Sequence, residues 1–215
     1  MNNSVLSPTQ EKEGAMIFYA TKETMERYNL KTPREMSPGI REIGESTLRK
    51  EAGKPLYAWG VKLFYFDRRK SLQFVHARTK MTVFLIDIKV ADMKDCGDIL
   101  AYFLLELYRN DPQMQAALKR FFLSAPIAVY DKLTDRSLIA TLNHTQTYFA
   151  WDGDRFFDFI RDGILHTKEI NREVADYPMK MNIDGNTEYI IPKEYFRTVI
   201  MEAFGTPRST PKQTH

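Results

Sequence analysis

The chain has 215 residues, of which 43% are apolar and 27% charged, and this balance predicts a single domain with a substantial core. Its formal net charge of +3 is a slight surplus, whereas a dedicated nucleic-acid binder usually carries a dense basic cluster. The single cysteine, Cys96, excludes an internal disulfide framework and is typical of a reducing compartment.

Polar ends flank the predicted domain, which covers residues 15–204. Residues 1–14 and 205–215 lack hydrophobic periodicity, so we expect a disordered leader and a disordered tail. The N-terminus has no apolar core of a secretory signal, and no apolar run approaches the roughly 20 residues that cross a bilayer. We therefore expect a cytoplasmic protein that makes no membrane contact.

The domain begins with a short apolar run, residues 15–20, which predicts a buried strand. Thr21 follows it directly and is placed to cap the next helix. Residues 31–54 are rich in proline, glycine and charge. They predict either a long loop or one short helix near residues 39–50.

Residues 55–90 form the centre of the predicted fold. They are rich in aromatic and β-branched types and contain two basic turns, which predicts three successive antiparallel strands. The expected register places Phe66 opposite Ser71 in the first hairpin. In the second hairpin it places His76 opposite Val83.

Side chains alternate across a strand, so this register divides the meander into two faces. Neither face is polar enough to remain in water, and we expect helices or further strands against both. We also expect Trp59 to be buried and stacked on Arg78, because the register sets them opposite each other. The first face carries Trp59, Val61, Leu63, Tyr65, Leu72, Phe74, His76, Arg78, Met81, Val83, Leu85 and Asp87. The second face carries Lys62, Phe64, Phe66, Gln73, Val75, Thr82, Phe84, Ile86 and Ile88.

Helical periodicity dominates the chain after the meander. We expect a single α+β domain, in which several α-helices pack against a central, mostly antiparallel β-meander sheet. The pattern predicts helices at about residues 95–109 and 112–124, after a capping Thr134, at 156–164 and at 192–204, with strands at 127–131 and 189–191.

Three blocks of the sequence resemble a known bacterial family. They are MIFYATKETMERYNL, DRRKSLQFVHARTKMTVFLIDIKVADMKD and TDRSLIATLNH, and they look like the signature blocks of the domain-of-unknown-function family numbered 6933. The resemblance spans about residues 16–204 and implies a bacterial protein without implying an activity. The chain differs from the family in having His76 and Ala77 where members often show an asparagine and an acidic residue.

Two titratable residues are candidates for chemistry. His76 lies among apolar neighbours in the expected register, which favours a hydrogen-bonded core histidine over a ligand or base. Cys96 lies near a predicted helix N-terminus, where a thiolate is favoured, but no base or oxyanion site is evident beside it. We expect both residues to be structural.

Basic residues mark the two turns of the meander. Arg68, Arg69 and Lys70 lie at one end of the second strand, and Arg78 and Lys80 lie at the other. Seven or eight residues at about 3.3 Å each separate the two groups by roughly 25 Å. We expect solvated hairpin tips, with contact to a protein partner or to nucleic acid as the alternative.

Asp135, Arg136 and Asn143 form the last candidate set, in a block that the resemblance selects. Their position at a helix start favours capping and an arginine–carboxylate contact with a neighbouring loop over a functional role. The histidines and acidic residues show no metal-ligand spacing, and no glycine-rich phosphate loop is present. We expect neither a metal nor a cofactor.

Two hypotheses about function remain open. The preferred one is an intracellular, non-enzymatic binding or regulatory module. The alternative is a small hydrolase or nuclease-like enzyme whose site combines sequence-distant residues: Arg78, Asp87, His76 and the block of residues 135–143. Convergence of these residues in one open cleft would favour the enzyme.

Overall fold

The computed structural model describes residues 15–51, 55–151, 156–183 and 185–205, so the predicted leader and residues 206–215 of the tail lie outside it. The described strands are β1 (Ala15–Ala20), β2 (Ala58–Phe66), β3 (Arg69–His76), β4 (Thr82–Leu85), β5 (Ile127–Lys132), β6 (Ile160–Arg161), β7 (Ile164–Leu165), β8 (Met179–Ile183) and β9 (Asn186–Ile190). The described α-helices are α1 (Lys22–Tyr28), α2 (Pro38–Glu51), α3 (Cys96–Leu107), α4 (Pro112–Ser124), α5 (Arg136–Gln146), α6 (Thr167–Asp176) and α7 (Pro192–Phe204). None of these helices is both long enough and apolar enough to cross a membrane.

The predicted α+β class is confirmed, but the central sheet is mixed. Its strand order is β4-β3-β2-β1-β5, with β2, β3 and β4 forming the antiparallel meander. β1 pairs in parallel with both β2 and β5, so the expectation of a mostly antiparallel sheet was wrong for this half. The reason lies in the connections, because α1 and α2 cross between β1 and β2, and a crossover of this kind returns the chain in parallel.

Both predicted hairpin registers were wrong by two residues. Phe66 lies opposite Arg69 and not Ser71, because the first turn contains only two residues, Asp67 and Arg68. Both have positive φ, at 46° and 62°, as the tight type I′ hairpin turn requires. A shift of two residues keeps each side chain on its own face, so the division into two faces still applies.

The two faces pack into separate clusters. The first face joins α1, α3, α4 and α7 in the main core. The second face is covered by α5 and α6 in two smaller clusters. Ile88 belongs to the main core and not to the second face, because the chain turns at Asp87, where φ is 57°.

Trp59 is fully buried, as expected, but its predicted stacking on Arg78 was wrong. With the register corrected, Trp59 lies opposite His76, and their ring centroids are 4.8 Å apart. Arg78 is exposed in the turn beyond the paired residues.

Most of the predicted helices are present, the helical alternative for residues 31–54 is confirmed, and two other predictions were wrong. The segment near residues 39–50 is helical and extends from Pro38 to Glu51 as α2. Asp135, and not Thr134, caps α5. The predicted helix at residues 156–164 is instead a 3-10 turn followed by the β6–β7 hairpin, because Asp162 and Gly163 both adopt positive φ.

Candidate functional site

The structure separates the predicted site residues into two groups at opposite ends of β3. Arg68, Arg69 and Lys70 lie at the first turn. There Arg69 donates to Asp87 at 3.5 Å, and the ammonium of Lys70 lies 5.8 Å from the centre of the Tyr28 ring. This basic tip therefore contacts its own domain, and Asp87 lies here, away from the other residues of the proposed enzyme site.

His76 is the hydrogen-bonded core histidine that the sequence predicts. It is fully buried, with Nε2 2.8 Å from the carbonyl oxygen of Leu56 and Nδ1 2.9 Å from the hydroxyl oxygen of Thr79. Because a carbonyl only accepts, Nε2 carries the proton and Nδ1 accepts from Thr79. Burial lowers the pKa of His76 to about 4, so the ring is neutral near pH 7 and both nitrogens are occupied.

Cys96 is also structural. It is fully buried at the first turn of α3, where its thiol lies 3.7 Å from the sulfur of Met93. Burial raises the pKa of the thiol to about 12, so the thiolate is not populated near neutral pH.

The block that begins α5 contains a cap and an anchor. One carboxylate oxygen of Asp135 accepts from the backbone N–H groups of Ser137 and Leu138, which is the predicted capping role. Asn143 accepts from the ammonium of Lys62 on β2 at 2.7 Å, which ties the helix to the sheet. Arg136 is exposed at the start of the helix.

α5 packs closely against β2 at Gly60. A Cβ added at Gly60 would lie 2.7 Å from Cγ of Leu138 and 3.1 Å from Cδ1 of Leu142. The missing side chain at this position of β2 therefore lets the helix approach the strand closely. The same approach brings the α5 side chains to the turn between β3 and β4.

An open cleft lies where that turn, α5 and the β8–β9 hairpin meet. We call it the Lys80 cleft, and its volume is about 480 Å³, within the usual range for ligand sites. It is lined by Lys80, Ala140, Thr141, His144, Tyr177, Pro178, Met179, Lys180 and Tyr189.

Lys80 has an unusual environment for a lysine. Only 9% of the residue is exposed. Its backbone φ is 60°, a left-handed conformation that residues other than glycine rarely adopt. Its N–H donates to the carbonyl of His76 at 2.9 Å, which closes the turn. No side chain in the described part of the chain hydrogen-bonds or ion-pairs with its ammonium.

Burial dominates the electrostatics of Lys80. It lowers the pKa of the ammonium, and the nearby carboxylate of Asp135 opposes this shift only in part. Arg78 lies exposed two residues earlier in the same turn. The structure thus brings the second basic turn and Asp135 together, while His76 stays buried behind the turn.

Other residues of the cleft were not singled out in the sequence. The ring of His144 lies 6.3 Å from that of Tyr177, Lys180 is exposed on β8, and Tyr189 on β9 is 76% exposed. His144 ends the block TDRSLIATLNH, but its spacing to other histidines and acidic residues indicated no site. Lys180 and Tyr189 come from segments without a motif, so no local pattern marks them. The one available signal was the basic turn itself, which also marks ordinary solvated hairpins.

Comparisons with known proteins identify a family and no curated relative. A family model described as Domain of unknown function (DUF6933) matches residues 17–195. A search of curated proteins gives no match to the chain. In the described residues, no group of three or more His, Cys, Asp or Glu side chains is arranged to hold a metal ion.

Proposed function

The chain belongs to the DUF6933 family, and we propose that it is a non-enzymatic binding module whose Lys80 cleft holds a small anionic ligand. One observation supports this above the others: Lys80 is nine-tenths buried and lines an open cleft, and its ammonium makes no hydrogen bond or ion pair with any described side chain, although the charge of Asp135 acts on it. As its setting we propose the bacterial cytoplasm, in line with the family resemblance and the single buried cysteine.

A buried ammonium without a hydrogen bond or ion pair favours an anion. Removing a charge from water is unfavourable unless an opposite charge or hydrogen bonds compensate it. Asp135 interacts with Lys80 but leaves the pKa of the ammonium below its ordinary value, so compensation is incomplete. A phosphate or carboxylate in the cleft would complete it through a charge-assisted hydrogen bond.

The walls of the cleft suit an anion that carries a planar ring. Lys180 adds a second positive charge, and Tyr177 and Tyr189 present aromatic rings. Aromatic side chains pack against planar groups in offset or edge arrangements. We therefore propose an aromatic or heteroaromatic phosphate as the ligand class.

The cleft is a better candidate than the basic turns acting as a nucleic-acid patch. Arg69 is already engaged with Asp87, and the first basic turn lies at the far end of β3 from Arg78. One compact phosphate clamp cannot include both turns. The cleft, in contrast, gathers its positive charges and rings in one place.

The alternative, a small hydrolase, retains one favourable observation. Lys80 and His144, a base and a polar ring, open on the same cleft beside the hydroxyl of Thr141. The enzyme set proposed from the sequence is not brought together, since Asp87 lies at the other tip and His76 is buried. Turnover of a phosphate ester at this cleft would favour the enzyme.

Calorimetric titration with phenyl phosphate tests the proposal. We expect binding to the unaltered protein and a loss of about tenfold or more in Lys80→Gln, as a charge-assisted hydrogen bond implies. Lys119→Gln on the exposed face of α4 is the matched control and should bind normally. Equal affinity in Lys80→Gln would refute the proposal, and release of phenol during the titration would replace it with the enzyme.

A further inference from the structure

We propose a second ligand site, for a small zwitterion such as an amino acid or a dipeptide, at the carboxyl ends of β1 and β5. We call it the strand-end cavity. It is separate from the Lys80 cleft, with which it shares no lining residue.

The topology of the sheet creates this cavity. β1 and β5 are neighbouring parallel strands, with Tyr19 opposite Asp131, so their carboxyl ends lie at the same edge. The helix after β1 packs on the first face, where Met25 of α1 joins the main core. The helix after β5 packs on the second face, where Leu138 of α5 contacts the cluster around Val75.

Connections that leave neighbouring parallel strands toward opposite faces open a crevice between them. In open sheets of this kind, ligands bind outside the carboxyl ends of the strands at such a point. Here the crevice has a volume of about 480 Å³. Its lining comes from the two strands, the 3-10 turn Pro33–Glu35 with the residue before it, α2 and the segment that leads to α5: Tyr19, Thr32, Pro33, Arg34, Glu45, Leu48, Arg49, Asp131, Lys132 and Thr134.

Some of the charges that surround the cavity are already satisfied by the protein. Arg49 pairs with Glu45 at 3.7 Å. The carboxylate of Glu35, next to the cavity, accepts from the N–H and the hydroxyl of Thr32 at 2.9 and 2.8 Å. These groups need no ligand.

Three lining charges have no such partner. Asp131 is half-buried beside Tyr19, and no cation in the described part of the chain lies within ion-pair distance of it. Arg34 and Lys132 are exposed and, within the same described residues, no carboxylate lies within ion-pair distance of either, although the charge of Lys132 acts on the carboxylate of Glu35 from farther away. The cavity therefore offers one half-buried carboxylate and two exposed cations.

This arrangement selects the charge pattern of the ligand. Asp131 would repel a ligand that carries only a negative charge. Arg34 and Lys132 would repel a ligand that carries only a positive charge. A molecule with both an ammonium and a carboxylate matches all three groups. The Tyr19 hydroxyl, on the strand next to Asp131, adds a hydrogen-bonding group for either end.

Thermal denaturation with the proteinogenic amino acids and glycylglycine as probes, followed by calorimetry of the best one, tests the site. We expect at least one zwitterion to stabilise the protein at about millimolar concentration. Acetate and methylamine, which each carry one of the two charges, should bind at least about tenfold more weakly. A panel without any binder would overturn the proposal, as would acetate or methylamine binding as tightly as the zwitterion.

Variants locate the binding. Asp131→Asn and Arg34→Gln should each weaken the zwitterion by about tenfold or more, because each removes a charge-assisted contact. Arg34 is exposed, so its replacement does not disturb the core, and a folded Arg34→Gln with unchanged affinity would refute the site. Lys119→Gln and Lys80→Gln should bind the zwitterion normally, and a loss in Lys80→Gln would assign the ligand to the Lys80 cleft and overturn the second site.

Discussion

Asn171 closes one edge of the central sheet by bonding both backbone groups of Phe84. Its side-chain oxygen accepts from the Phe84 N–H at 2.7 Å, and its side-chain nitrogen donates to the Phe84 carbonyl at 3.0 Å. An edge strand presents unpaired backbone groups that must be satisfied or covered. One buried amide from α6 thus replaces a further strand beside β4.

Replacing Asn171 with leucine should destabilise the protein strongly. The change removes both hydrogen bonds and leaves two buried backbone groups without partners, at about 1 to 3 kcal/mol each. We expect the free energy of unfolding to fall by about 2 to 5 kcal/mol in urea titrations. Asn110→Leu, on an exposed turn, is the control and should change it by less than about 0.5 kcal/mol. A similar small change in Asn171→Leu would contradict the role of the amide.

The buried His76 should make stability depend on pH. Its pKa is about 4 in the folded protein and 6.5 in the unfolded chain, so between these values the unfolded chain binds more protons. The stabilising contribution is complete above about pH 6.5 and is lost as the pH falls toward 4, by about 3 kcal/mol in total. His76→Gln should lack this component of the pH profile, whereas His166→Gln, at a half-exposed position, should keep it. If the His76→Gln variant and the unaltered protein gave parallel pH profiles, His76 would not be the source of this pH dependence.

The sequence predicts the two faces of the meander better than the pairing within it. Alternation alone assigns Phe74 and Val75 to opposite clusters, as observed. The register depends on the backbone of the turn, and Arg68 gives no sign that it adopts positive φ, as glycine or asparagine would. The parallel pairing of β1 with β2 and β5 depends on connections that cross over the sheet, which no local pattern specifies.

The candidate site could be predicted only in part from the sequence, for a related reason. A cap at the start of α5 is recognisable because capping is local, although the sequence offered Thr134 as well as Asp135. Lys80 looks like an ordinary turn lysine, since its burial comes from packing around the turn. Tyr177 and Tyr189 reach the cleft only through the positions of α6 and the β8–β9 hairpin, which no local pattern specifies.

The C-terminal helix should contribute to the core and not to a partner surface. Phe196 of α7 is fully buried, and its ring centroid lies 5.1 Å from that of His76 and 6.0 Å from that of Trp59. Phe196→Ala should lower the free energy of unfolding by about 3 to 5 kcal/mol, as truncation of a packed aromatic residue does. Thr198→Ala, on the exposed side of the same helix, should change it by less than about 1 kcal/mol. Equal melting temperatures for the two variants would indicate that the helix does not need this packing.

The backbone conformation of Lys80 should favour glycine for stability, while binding needs the lysine side chain. At its φ of 60°, glycine is free of the strain that a Cβ introduces, which is about 1 to 2 kcal/mol for other residues. We therefore expect Lys80→Gly to be more stable than Lys80→Ala by about 1 kcal/mol in urea unfolding. Both variants lack the ammonium, so both should fail to bind phenyl phosphate in calorimetry. An alanine variant as stable as the glycine variant would show that the turn relaxes without strain.

Gly60 should connect the packing of α5 to binding in the Lys80 cleft. A Cβ at this position would meet Leu138 at 2.7 Å, closer than side-chain atoms approach, so Gly60→Ala must displace the helix or distort the strand. We expect a loss of about 1 to 3 kcal/mol in stability, as overpacking causes. Because Thr141 and His144 line the cleft from the same helix, phenyl phosphate should also bind more weakly. Leu138→Ala removes the atoms that the new methyl group meets. The double variant should therefore lose less free energy of unfolding than the sum of the two single losses. Urea unfolding of the two single variants and the double variant measures this difference. Strict additivity of the two changes would mean that the contact between Gly60 and Leu138 does not set the position of α5.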